Sequence, residues 1–140
     1  MLFALMAIWG LNKYTSFTAM TFKGQTALAA LIAFFGLAIM IWAGYLFKKH
    51  QTTIHPFAPQ DTSTIVTQGI YRLSRNPMYL AMLLILMSSV VLYGKVIALA
   101  PALIFYIYMT RHQIIPEERA LEAKFGQSYL DYKAKVRRWI

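Results

Sequence analysis

The sequence predicts an all-α integral membrane protein with about four transmembrane helices and a cytoplasmic amphipathic tail helix. Three observations lead to this prediction. Hydrophobic residues make up 59% of the 140 residues and charged residues only 14%, whereas a soluble domain has roughly 45–50% and about 25%. The apolar residues are grouped into long uncharged runs. Of the fourteen Lys and Arg, four lie in residues 48–75 and seven in residues 111–138, and both segments flank apolar runs.

The first two apolar runs predict a pair of helices over residues 1–47. Residues 1–11 give about 16 Å of helix, and they lack the basic start and the small-residue cleavage site of a secretory signal, so we expect a retained helix. Residues 24–47 contain no charge. They give about 36 Å of helix, enough to cross a hydrocarbon core of about 30 Å. Lys48 and Lys49 then mark the cytoplasmic side by the positive-inside rule.

A helical hairpin is predicted over residues 78–110. Between residues 76 and 110 the one charge is Lys95, next to Gly94, and this pair divides the run into two arms. Pro101 predicts a kink in the second arm. The loop at residues 48–77 and the tail at residues 111–140 then both lie in the cytoplasm, and residues 1–140 form a single domain.

The tail predicts two helical segments. Pro116 followed by Glu117 and Glu118 is typical of a helix start, and Gly126 is typical of a helix stop. Beyond the glycine, aromatic and apolar residues recur at helical spacing opposite basic ones: Tyr129, Tyr132, Val136 and Trp139 against Lys133, Lys135 and Arg137. That pattern predicts an amphipathic helix at the membrane interface.

Several classes of function are disfavoured by composition and motif. The formal net charge of +9 comes from basic residues beside apolar spans, which indicates membrane lipids as partners and no nucleic acid. There is no cysteine, and the three histidines form no metal-binding pattern, so we expect no metal. Nucleophile elbows, P-loops and dinucleotide-binding glycine motifs are absent from the sequence.

Two polar clusters stand at the cytoplasmic ends of the hairpin, "STIVTQGIYRLSRNPMY" and "RHQIIPEER". A hairpin brings its ends together, so we expect them to line one pocket. Each cluster also has a simpler interpretation. Arg72 and Arg75 are then membrane anchors, and Asn76 caps the helix that begins at Pro77. In the same interpretation the two glutamates complement a helix dipole, and the tyrosines belong to an aromatic belt.

The combined motifs "G-x-Y-x-x-x-R-N-P-x-Y" and "E-E-x-x-L-x-x-x-F-G-x-x-Y-x-x-Y" resemble those of the isoprenylcysteine carboxyl methyltransferase and phospholipid methyltransferase family of integral membrane enzymes. The resemblance covers residues 52–140. It implies S-adenosyl-L-methionine as cofactor, bound on the cytoplasmic side between the helical hairpin and the tail, with contacts from the segment before the hairpin. The cofactor-binding residues that it implies are Ser63, Thr64, Ile65, Val66, Tyr71, Asn76, Pro77, Met78, Tyr79, Glu117 and Glu118.

The resemblance also implies a lipophilic or lipidated methyl acceptor, of the isoprenylcysteine carboxylate type. Carboxyl methyltransferases of the family carry an arginine four residues before the first glutamate, where this chain has Gln113. Arg111 stands two residues earlier, about 200° away around a helix. The candidate catalytic residues are therefore Glu117, Glu118, Arg111 and Gln113. A phospholipid amine methyltransferase and a small membrane protein without enzymatic activity are the alternatives.

Overall fold

The computed structural model describes residues 1–49 and 64–140, and within these ranges the chain is helical and contains no strand. The six α-helices are α1 (Leu2–Tyr14), α2 (Gln25–Lys49), α3 (Pro77–Tyr93), α4 (Leu99–Met109), α5 (Ile115–Phe125) and α6 (Gln127–Lys135). Short 3₁₀ helices occur at Gly69–Arg72 and Val96–Ala98, and a π-helix at Thr110–Ile114. The all-α prediction is confirmed.

Helices α2 and α3 form the main antiparallel pair. At one end, the Gln25 side chain donates from Nε2 to the carbonyl oxygens of Val91 (2.8 Å) and Leu92 (3.1 Å). Near the middle, Gly36 lies so close to α3 that an added Cβ would stand 3.1 Å from the carbonyl oxygen of Ala81. The missing side chain therefore allows the two backbones to approach closely.

Helix α1 packs against α3 and α4. Ile8 is fully buried in a core with Leu86, Val90 and Phe105. Lys95, in the turn after α3, donates from Nζ to the carbonyl oxygens of Asn12 (2.7 Å) and Thr15 (2.9 Å). The last carbonyl groups of an α-helix have no hydrogen-bond partner within the helix, so the lysine caps the C-terminal end of α1.

The predicted hairpin forms, with Gly94 at its turn and a 3₁₀ segment at the start of its second arm. Gly94 ends α3 with φ 64°, a left-handed conformation that glycine adopts readily. The kink expected at Pro101 stays a prediction. The proline lies in the first turn of α4, after a 3₁₀ segment, where a missing N–H leaves no helical hydrogen bond broken.

In the described part of the chain, α2 alone is long and apolar enough to cross a membrane by itself. Only 17% of its most apolar window is buried inside the protein, and Phe34, Phe35 and Ile41 are exposed on its surface. A core helix of a soluble protein would be covered by other helices, so this surface fits contact with lipid. Helix α3 is apolar but shorter, and α1, at 13 residues, extends only about 20 Å. Of the four expected spans, one helix therefore has the length and composition of a membrane span, and the other three stay predictions.

The tail folds differently from the sequence-based expectation in two respects. Helices α4 and α5 are continuous through the π-helix, so Pro116 does not begin a separate helix. Helix α6 is amphipathic, but Tyr129, Tyr132 and Val136 are buried inside the protein against Ile65 and neighbours on α5. Its apolar face therefore does not lie on a membrane interface.

Candidate functional site

The two polar segments that the hairpin was expected to join do meet in the structure. Tyr79, in the first turn of α3, donates its hydroxyl hydrogen to Oε1 of Glu117, in the first turn of α5, at 2.7 Å. Gln113 donates from Nε2 to the same oxygen at 2.6 Å. Both donors bond Oε1, and among the described residues no hydrogen bond reaches Oε2.

Glu117 has a perturbed protonation equilibrium. Burial raises the pKa of its carboxyl, the hydrogen bonds from Gln113 and Tyr79 lower it, and the neighbouring charge of Glu118 raises it, with a net upward shift. A carboxylate with a raised pKa is a better proton acceptor than an exposed one.

Two of the candidate catalytic residues lie in the π-helix at Thr110–Ile114, and they face different surroundings. Gln113 is half-buried and bonds Glu117, whereas Arg111 is exposed. The fully buried Ile114 fixes this turn against the core. Isolated π turns inside α-helices occur frequently at functional sites. A role for Arg111 in place of the arginine of the carboxyl methyltransferase motif stays a prediction.

Glu118 faces the protein interior, and although it lies in the first turn of α5 it does more than complement a helix dipole. Glu118 is 3% exposed, and its carboxylate accepts two hydrogen bonds from Arg138, at 3.1 Å from Nε and 2.8 Å from Nη2. The Nη2 atom of Arg75 lies 3.3 Å from Oε1 of the same carboxylate. Arg75, with a side chain only 8% exposed, is therefore not a membrane anchor.

Asn76 is the N-cap residue of α3, but its side chain makes no capping hydrogen bond. Its Nδ2 atom donates to the carbonyl oxygen of Arg138 at 3.0 Å, so the expected capping role is wrong. The Asn76 N–H instead donates to the hydroxyl oxygen of Ser74 at 3.1 Å. The residues before α3 are thus tied to the tail across more than sixty positions of sequence.

Tyr71 supplies a polar atom without a partner. The residue is 5% exposed, its ring packs edge-on against Phe47, and its carbonyl oxygen accepts from the Tyr132 hydroxyl at 2.7 Å. Its own hydroxyl is buried and has no hydrogen-bond partner among the described residues. Burial raises the pKa of Tyr71, so the phenol stays protonated. Neither Tyr71 nor the half-buried Tyr79 belongs to an exposed aromatic belt.

The remaining candidate residues are placed as follows. Val66 is buried beside Tyr71, while Ile65 packs against the tyrosines of α6. Thr64 is exposed, and Ser63 lies outside the described residues. Pro77 is buried and Met78 half-buried at the start of α3. Sequence reasoning missed Arg138, because nothing in the tail pattern distinguishes it from the basic residues beside it.

Two other features lie outside this cluster. Within residues 1–49 and 64–140, no group of three or more His, Cys, Asp or Glu is arranged to hold a metal ion. A cavity of about 300 Å³ is lined by Leu5, Met6, Trp9, Ser89 and Tyr93. Tyr93 is fourteen residues beyond Tyr79 on α3, about 21 Å along the helix, so this cavity is separate from the site at Glu117.

Comparison with known proteins identifies the family. The model of the phospholipid methyltransferase family matches residues 24–128, three quarters of the 140-residue chain. The chain belongs to the phospholipid methyltransferase family. The matched region contains both clusters of the site, from Tyr71 to Glu118, and membership indicates a membrane methyltransferase. The resemblance of the two motifs to this family is confirmed.

One relative extends the comparison without adding a function. An uncharacterized protein of Haemophilus influenzae is 44% identical over 63 residues, which are 45% of this chain and all of that protein. No solved structure matches the chain.

Proposed function

We propose that this phospholipid methyltransferase family member transfers a methyl group from S-adenosyl-L-methionine to a lipophilic acceptor delivered by the membrane. The observation that carries the proposal is the meeting of Glu117 with Tyr79 beside the unpartnered hydroxyl of Tyr71. A buried polar atom without a partner is costly unless a ligand completes its hydrogen bonding. The family supports the reaction class, and this cluster is the site that we propose for it.

The residues present fit the cofactor. Oε2 of Glu117 is an acceptor for an ammonium group or for ribose hydroxyls, and the Tyr71 hydroxyl is a buried donor. Residues 76–79 provide the adjoining backbone. When bound, the cofactor supplies an electrophilic methyl group on a sulfonium. The protein's own tasks are then to orient the acceptor and to exclude water.

An amine is the acceptor that the charges favour. The site carries a carboxylate at Glu117, and Gln113, where an acceptor-binding arginine was expected, is a neutral donor to that carboxylate. An amine develops positive charge and must lose a proton as its nitrogen lone pair forms the new N–C bond, and the negative charge of Glu117 favours both changes. A phospholipid amine therefore fits better than the isoprenylcysteine carboxylate, which stays a prediction from resemblance.

The location that we propose is the cytoplasmic face of a membrane, with several spans. The site lies at the end of the helices that carries Lys48, Lys49 and the basic tail, whereas Lys95 caps α1 at the opposite end. Cytoplasmic segments carry the excess of Lys and Arg. An acceptor enters laterally from the bilayer in this arrangement, and the cofactor enters from the aqueous side.

The test of cofactor binding is calorimetric titration of the detergent-purified protein with S-adenosylhomocysteine. We expect saturable binding that is weakened in Glu117→Gln and in Tyr71→Phe, and unchanged in Glu122→Gln, a carboxylate on the same helix that pairs with Lys133. Because the Tyr71 hydroxyl has no partner in the free protein, Tyr71→Phe should lose affinity without losing stability. A folded protein that shows no saturable binding would instead support a membrane protein without enzymatic activity.

The acceptor is tested separately. The purified protein is given labelled S-adenosyl-L-methionine with vesicles that contain phosphatidylethanolamine, or with an isoprenylcysteine analogue. We expect label in the lipid amine. Label in the isoprenylcysteine analogue alone would contradict the choice of an amine while leaving the methyltransferase assignment intact.

A further inference from the structure

Residues 136–139, which we name the strap, follow the end of α6 and run beside the segment that precedes α3. Val136 has φ −121° and ψ 131°. The carbonyl oxygen of Arg137 accepts from the Arg75 N–H at 3.0 Å. The carbonyl oxygen of Arg138 accepts from Nδ2 of Asn76 at 3.0 Å and from the Ser74 hydroxyl at 3.4 Å. The strap thus supplies the hydrogen-bond acceptors for three consecutive residues.

The strap is anchored on its other side to α4 and α5. The Arg138 guanidinium forms a two-point contact with Glu118, the geometry in which arginine fixes a carboxylate most specifically. The ring of Trp139 lies against the ring of Tyr106 on α4, with 4.9 Å between centroids. One residue, Arg138, therefore joins the two halves of the site: its carbonyl holds Asn76, and its side chain holds the turn that carries Glu117.

We propose that Arg138 is a positioning residue for the cofactor, which acts by fixing the side chain of Asn76 and the first turn of α5. This inference rests on the proposed function. Arg138 touches neither Glu117 nor Tyr79 by any hydrogen bond found in the described residues, so its effect passes through its partners. Asn76 shows how: its amide is withdrawn from capping α3 and held by the strap, which sets the conformation of residues 76–79.

Arg137 provides a matched control. It is adjacent in sequence and of the same residue type. Its side chain is exposed, and its carbonyl oxygen accepts from the Arg75 N–H. A substitution at Arg137 therefore removes the same formal charge and leaves the backbone hydrogen bond in place. Any difference between the two positions reports the guanidinium of Arg138 and not the net charge of the tail.

The experiment measures the affinity of the intact, detergent-purified protein for S-adenosylhomocysteine by calorimetry, in the wild type, Arg138→Gln and Arg137→Gln. We expect Arg138→Gln to bind about tenfold more weakly or worse, since the net loss of one ordered hydrogen bond corresponds to about that factor. Arg137→Gln should stay within about twofold of the wild type. Circular dichroism confirms that each variant is folded at the temperature of the titration.

A double-mutant cycle with Asn76→Ala separates positioning from a general effect on stability. If Arg138 acts through Asn76, Arg138→Gln should cost much less affinity in the Asn76→Ala background than in the wild type. Fully multiplicative losses would overturn the proposal. Should Arg138→Gln fail to fold, Arg138→Lys keeps a cation beside Glu118 without the two-point contact. It is then compared with Arg137→Lys, and equal affinities for that pair would also overturn the proposal.

The outcomes distinguish this inference from the function on which it rests. A folded wild type without saturable binding overturns the proposed function. Wild-type binding that Arg138→Gln leaves unchanged overturns the positioning role and leaves the methyltransferase proposal standing.

Discussion

Neutralising Glu118 should destabilise the protein far more than neutralising a surface glutamate on the same helix. Glu118 is buried between Arg75 and Arg138, whose side chains are 8% and 34% exposed. Removing one partner of a buried ion pair typically costs 3–5 kcal/mol, because the other charge stays buried without compensation. Arg138 is exposed enough to turn toward water, so the cost falls mainly on Arg75. We expect Glu118→Gln to lower the free energy of unfolding by about 3 kcal/mol.

Glu122→Gln is the matched comparison. Glu122 stands four residues further along α5 and pairs with Lys133, and these side chains are 30% and 36% exposed. An exposed pair contributes roughly 0.2–1 kcal/mol. Both variants are unfolded by denaturant in the same mixed micelles and followed by far-ultraviolet circular dichroism. If the two lose the same free energy within about 0.5 kcal/mol, the reasoning from burial is refuted.

Three further outcomes follow from the packing and the charges. Gly36→Ala should lower the free energy of unfolding by about 1–3 kcal/mol through overpacking against α3. Gly44→Ala, whose added Cβ meets no atom within 4 Å, should raise it by up to about 1 kcal/mol. Equal unfolding midpoints for the two variants would contradict this packing. Lys95→Met should cost about 1.5–3 kcal/mol by uncapping α1, and the exposed Lys23→Met almost nothing, in the same denaturation assay. The raised pKa of Glu117 means that the folded protein binds protons more readily than the unfolded one. Stability should therefore fall as pH rises from the ordinary value of 4.5 through the raised pKa, and Glu117→Gln should abolish this dependence in unfolding curves.

The site shows how one buried carboxylate and one accessible carboxylate divide their roles. Glu118 is held by two arginines, while its neighbour Glu117 accepts hydrogen bonds from Tyr79 and Gln113 at one oxygen. Successive residues on a helix point about 100° apart. Two adjacent glutamates are thus suited to different roles, with Glu118 stabilising the fold and Glu117 contacting the proposed ligand.

Much of the fold is readable from local sequence. Gly94 ends α3 and Gly126 ends α5 because each takes a positive φ that other residues adopt poorly. Pro77 stands at the start of α3, and the uncharged residues 24–47 give the longest helix. These features depend on residues near one another in the chain, which is why periodicity, charge and turn residues were enough to predict them.

The composition of the site was predicted only in part. The sequence indicated that Tyr79 and Glu117 meet, since a hairpin must bring its ends together. It did not indicate the π turn that aims Gln113 at Glu117 and leaves Arg111 exposed, because that turn reflects how Ile114 is buried against other helices.

What the sequence determined by itself is most of the helices, the ends of α3 and α5 at Gly94 and Gly126, and the family, all of which are encoded in residues that are close in the chain. The tertiary structure alone decided which surface each helix face packs against. The apolar side of α6 has the same pattern whether it meets a bilayer or the tyrosines of its own protein. Arg138 has the same chemistry as Arg137, yet only one of them reaches Glu118, twenty residues away. Such choices depend on the free energy of burying particular surfaces together, and that free energy is fixed only when the whole chain is packed.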